Sequence, residues 1–195
     1  MTRMITAVAL ALLASASAQS QQRGSDAPSG PLNVDEQIEQ ALGAAPPQVR
    51  QTASVRDFTG KTLREGTGTY TCFPAPEGLA GPMCMDAPFL AWMDASMSGK
   101  PATTSQIGIS YMLAGDSLTG GASNIDPAAL KPEPGNSWVV EGPHVMIIVP
   151  DDALLAGLPT TPVKDGPYVM WPGTPYAHIM IPVAERLPQR PASAR

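Results

Sequence analysis

The sequence predicts an α+β fold: a single compact domain with about six or seven short strands and two or three helices. Three observations carry this reading. Two segments, near residues 34–42 and 86–97, have helical apolar spacing behind good capping residues. The C-terminal half is a series of short apolar runs bracketed by proline: Pro143 and Pro150, Pro167 and Pro172, Pro175 and Pro182. Proline cannot donate to a strand ladder, so these runs must be short or edge-placed. Finally, 195 residues with 43% hydrophobic content suit one core. Strand order is not readable at this level.

The chain opens with a segment that reads as an export signal, residues 1–18. Arg3 supplies the positive start, Ile5–Leu13 is a short apolar run, and Ala16-Ser17-Ala18 has the small residues of a cleavage site. The run is too short for a permanent bilayer span. Residues 19–31 are polar without apolar period and read as a disordered linker. The domain is expected over 32–184, and 185–195 as a flexible tail. Localisation is therefore expected to be periplasmic or secreted, with no stable membrane anchor after cleavage.

Within the domain, Asn33 caps a helix whose Val34, Ile38 and Leu42 share one face, and Gly43 and Pro46-Pro47 end it. Val49–Phe58 and Thr67–Cys72 read as strands around a glycine-containing turn. Asp86 caps the best helix, with Pro88 in its first turn and Phe89, Trp92, Met93 and Met97 as its stripe. Gly99 and Pro101 stop it. Gln106–Leu113 alternates as a strand, and Gly115–Pro134 reads as loop. Trp138–Val140, Val145–Val149, Tyr168–Trp171 and Ala177–Val183 are the remaining strands, with a short helix over Asp151–Ala156.

Composition limits function. The formal net charge is −5 and charged residues make up 15% of the chain, so no basic excess exists to displace phosphate counterions and no nucleic-acid partner is expected. Two cysteines and two histidines exclude a multi-zinc or disulfide-dense scaffold. In an oxidising compartment Cys72 and Cys84 are expected to pair. The competing reading makes Cys84 a thiolate that binds a soft metal with its neighbours Met83 and Met85.

Both histidines occupy one motif. His144-Val145-Met146 and His178-Ile179-Met180 are each His-x-Met, and Tyr168-Val169-Met170 has the same form. On a strand, residues i and i+2 share a face, so each motif presents an imidazole and a thioether together. On neighbouring strands His144, Met146, His178 and Met180 would converge, with Met170 joining them. Imidazole with thioether suits copper, as Cu(I), better than magnesium, calcium or manganese, and thioether is a poor zinc ligand. Trp171 would cover such an ion with its ring face. Copper is the cofactor this pattern suggests.

Three other readings compete. Methionine is a core filler, and a strand histidine commonly serves structure. Trp171, Tyr168 and Tyr176, with Trp92 and Trp138, are platforms for a non-metal small ligand or a partner. A hydrolase-like enzyme with a histidine acid/base is the third, using Glu141, Asp151, Asp152 or Asp165 as orienting carboxylates. No G-x-S-x-G, H-E-x-x-H, P-loop or dinucleotide fingerprint is present, so no catalytic residue is assigned.

The segments PMCMDAPF (82–89), ISYMLAGDS (109–117), GPHVMIIVPD (142–151) and GPYVMWPGTPYAHIMIPV (166–183) resemble a family of small exported bacterial proteins with GPHxMI and GTPYAHIMIP-type motifs. The resemblance spans about Val34–Val183. It implies no activity, cofactor or site.

Overall fold

In the computed structural model, residues 31–76, 80–117 and 119–186 are described. The expected signal at 1–18, the linker up to residue 30 and the tail beyond Arg186 lie outside them. Helix α1 (Val34–Gly43) begins at Asn33 with a reciprocal capping box: the Asn33 side chain accepts from Glu36 N–H, and Glu36 accepts from Asn33 N–H. Helix α2 (Pro47–Thr52) follows at once. The expected strand over Val49–Phe58 is therefore helical in its first part. Pro47 in the first turn is pre-set for helix, and the Arg50 side chain donates back to Ala45 O and Gly43 O.

The strands come next: β1 (Ser54–Arg56), β2 (Thr62–Arg64), β3 (Thr71–Phe73) and β4 (Met83–Met85). Helix α3 (Ala87–Met97) then follows, and the Asp86 side chain accepts from Phe89 N–H at its start. The remaining strands are β5 (Gly108–Met112), β6 (Ala122–Ser123), β7 (Trp138–Val139), β8 (His144–Ile148), β9 (Tyr168–Met170) and β10 (His178–Pro182), with a 3₁₀ turn at Asp152–Leu155 before β9. The α+β class is as expected, as are α1 and α3, whereas α2 replaces part of an expected strand and the expected short helix over Asp151–Ala156 is the 3₁₀ turn. Among the described residues the strands number ten because β2, β4 and β6 add to those read from the sequence. At two or three residues each, none is long enough to display an alternating pattern.

Eight strands form one sheet in the order β2-β1-β3-β4-β5-β8-β10-β9, and β6 pairs with β7 separately. Among the described strands only β1–β3 is parallel. Register sorts the side chains into two faces. Cys72 lies opposite Cys84, and Val55 lies beside Cys72. These residues pack under α1 with Ala41, Leu42, Ala44 and Ala45. The other face carries Phe73, Met83, Met85, Met112, Met146, Ile148, Met170 and Met180, which pack with Phe89 and Trp92 of α3. Alternation thus divides the sulfur chemistry, with the cysteines under α1 and the methionines under α3.

Cys72 and Cys84 form a disulfide. The bridge closes a short loop and contributes about 3 kcal/mol through the unfolded state. It corrects the thiolate reading: Cys84 is not free, and it faces away from Met83 and Met85. It is also compatible with an oxidising compartment. No helix among the described residues is long and apolar enough to cross a membrane.

A methionine-lined cavity with a histidine at each end

His144 opens β8 and His178 opens β10, and both are buried, at 1% and 2% exposure. The two are held in the same way. His144 Nδ1 lies 2.7 Å from Gly142 O, and His178 Nδ1 lies 2.9 Å from Tyr176 O. A carbonyl only accepts, so in the neutral ring Nδ1 carries the proton and Nε2 keeps its lone pair. A ring nitrogen oriented through its partner by a backbone carbonyl is also the way metal-binding histidines are held. His178 Nε2 is buried and has no hydrogen-bond partner among the described residues. Burial pushes the His178 ring down to about 4, helped by His144 nearby, against the raising effect of its bond to Tyr176 O. At neutral pH it is an uncharged base with an unused lone pair.

Both imidazoles line one cavity of about 90 Å³. Six methionines line it with them: Met83, Met93, Met112, Met146, Met170 and Met180. Register gives the arrangement. Met146 and Met180 stand directly opposite each other on β8 and β10. His144 lies opposite Met112 on β5, and His178 lies opposite Met170 on β9. Directly opposed side chains have Cβ atoms about 5 Å apart. Each histidine therefore has one thioether across from it and a second two residues along its own strand. The sets are His144, Met112 and Met146, and His178, Met170 and Met180.

The structure thus brings His144, Met146, Met170, His178 and Met180 to one cavity but does not superpose the histidines. His144 pairs with Pro182, four residues along β10 from His178. At about 3.4 Å per residue, that sets the two backbones roughly 14 Å apart along the strand. The Met146–Met180 pair lies between them. Sequence reasoning missed Met112, Met83 and Met93 as lining residues. Met112 was legible as the last alternate residue of the β5 pattern. Met83 depended on recognising a three-residue strand.

Aromatic rings wall the His178 end. Its ring stands nearly perpendicular to Trp92 (5.2 Å) and Trp171 (5.0 Å), whose planes are almost parallel at 6.1 Å. Trp171 is a non-glycine residue at φ 56°, a costly backbone position for a bulky side chain. Two bonds hold it there: its N–H donates to Asn124 O and its Nε1–H to Ser123 O, each at 2.7 Å. The β6–β7 pair therefore anchors the indole. Tyr176 packs edge-on to Trp92 and donates to Lys100 O.

The carboxylates at the other end are engaged. Asp116, 8% exposed, accepts from Glu141 N–H at 2.7 Å and from Gly81 N–H at 3.1 Å. Burial raises its carboxyl, partly offset by His144 nearby. Glu141, 1% exposed, is paired with Arg186, which donates to both its oxygens, and it accepts from Tyr168 OH at 3.0 Å. Tyr168 is thus occupied by Glu141 and lies under the Arg186 guanidinium at 5.7 Å. Asp151 and the 3₁₀ turn it caps are not part of the cavity wall.

Among the described residues no three His, Cys, Asp or Glu side chains group as a metal site. The sulfur donors on the wall are all thioethers. No protein-family model, no curated protein and no solved structure matches the chain.

Proposed function

We propose that this is an exported protein that binds Cu(I) in the methionine-lined cavity at two donor sets, one built on His178 and one on His144. The observation that carries the reading is the buried, unpartnered Nε2 of His178 in a wall of thioethers. An orphaned buried acceptor is costly, and a soft cation bound there removes that cost. The donor set supports the same metal class. Neutral imidazole with two thioethers suits monovalent copper, whereas oxygen-seeking cations find only engaged carboxylates. Each histidine with its two methionines forms one three-donor set. The cavity lining is largely apolar, and Trp171 covers the His178 end. Export rests on residues 1–18 and agrees with the disulfide.

A second reading has one observation in its favour. The Trp92–Trp171 wall and apolar lining also suit a small apolar molecule, although a cavity of about 90 Å³ falls well short of the roughly 300–1,000 Å³ of drug-sized sites. Titration against a chromophoric Cu(I) chelator under reducing, anaerobic conditions separates the two. The protein is expected to withdraw Cu(I) with micromolar or tighter affinity. The double variant His144→Gln/His178→Gln is expected to lose that ability while keeping its circular dichroism spectrum. A wild-type protein that leaves the chelator complex intact rejects the copper reading.

A further inference from the structure

A second methionine cluster lies on the outside of the cavity wall. Between α3 and the β1–β2 hairpin is a groove of about 110 Å³ lined by Met85, Met93 and Met97, with Phe58, Phe73 and Leu90 around them. Met93 lines both the groove and the buried cavity. Met97 is 63% exposed at the end of α3, where it fills no core. Met93 and Met97 are four residues apart on that helix, so they are neighbours on one face. Met85 stands two residues from Met83 on β4, on the same sheet face, and Met83 lines the cavity. All eight methionines from residue 83 onward therefore belong to the groove, the cavity or the wall between them. The groove also carries Asp57 and Asp94 with Arg56 on its wall and Lys61 beside Asp57, so its charges balance and its thioethers are what would select a soft ion.

We propose that the Met85–Met93–Met97 groove is a transient Cu(I) site through which the buried cavity is loaded. The inference rests on the copper reading of the cavity. An ion that passes from the groove to the cavity across Met93, which lines both, keeps soft donors throughout. Met97 binds Cu(I) as the donor complex releases a ligand, and Met93 then takes the ion by exchange as Met97 lets go. Each exchange replaces one lone-pair donor by another. Copper stays monovalent and no proton moves, because thioethers do not titrate near neutral pH. The three rotatable bonds of methionine allow the side chain to swing between groove and cavity.

The test follows transfer from a chromophoric Cu(I)–chelator complex by stopped flow, comparing the wild-type protein with Met97→Leu and Met97→His. Leucine keeps the bulk and removes the donor, and histidine restores a copper ligand. Met97→Leu is expected to load roughly tenfold more slowly while reaching the same endpoint. Met97→His is expected to recover the wild-type rate, which a purely packing role would not produce. Met97→Leu loading at the wild-type rate overturns the groove and leaves the cavity reading intact. No transfer to the wild-type protein overturns both.

Discussion

Acidifying the metal-free protein isolates the His178 environment. The ring has its ordinary value of 6.5 in the unfolded chain and is pushed down to about 4 in the fold. Between those values the unfolded state binds the additional proton, so stability rises with pH across that window and is lost as pH falls through it. At about 1.4 kcal/mol per pKa unit, this one ring removes about 2 kcal/mol by pH 5 and about 3 kcal/mol by pH 4. Other groups titrate over the same range. The raised Asp116 carboxyl works in the opposite direction, because there the folded state holds its proton more tightly. The measurement is therefore a difference. Urea unfolding of the wild-type protein and His178→Gln between pH 4 and 8 is expected to give stability curves that differ in slope, with the gap changing by about 2 kcal/mol between pH 7.5 and pH 5. Parallel curves would refute the claim that His178 is held neutral by burial. They would also remove the uncharged lone pair on which the copper site depends.

Two further outcomes test the framework around the cavity. Arg186→Met leaves the Glu141 carboxylate buried without its cation and is expected to lower stability by about 3–5 kcal/mol, with part of the loss recovered in Glu141→Gln/Arg186→Met; chemical denaturation reads both. Gly108→Ala would put a Cβ 2.7 Å from Phe89 N and 2.8 Å from the Ile148 side chain. It is expected to push the start of α3 off β5 and cost about 1–3 kcal/mol, visible as a lower thermal midpoint and altered tryptophan fluorescence from Trp92.

The parts legible in sequence were those in which local chemistry and final structure agree. Asn33 and Asp86 cap their helices where their side chains can reach the third backbone N–H, a requirement met within four residues. The proline-bracketed runs became β8, β9 and β10 because proline ends a ladder wherever it occurs. The short strands β2, β4 and β6 were not legible. Their residues are extended only because neighbouring strands supply hydrogen bonds, as β3 and β5 do for Met83–Met85. Val49–Thr52 went the other way, since Pro47 and the Arg50 side chain favour a helical turn over the extended state that its composition suggested. Arg186, read as part of a flexible tail, is instead held by Glu141 and Val163 O. Glu141 lies 45 positions earlier in the chain, beyond any local signal.

The sequence alone determined which atoms are available. It contains two imidazoles, each two residues before a methionine, and alternation on a strand dictates that each such pair shares a face. Register and layer decided what those pairs become. Antiparallel pairing of β8 with β10 set Met146 against Met180 and moved the histidines to opposite ends. Pairing with β5 and β9 brought in Met112 and Met170. The placement of α3 over this face, and of α1 over the cysteine face, buried the imidazoles with thioethers and withdrew the disulfide from them. Alternation follows from the backbone of a single strand. Convergence depends on hydrogen bonds between strands far apart in the chain, and only the folded sheet specifies them.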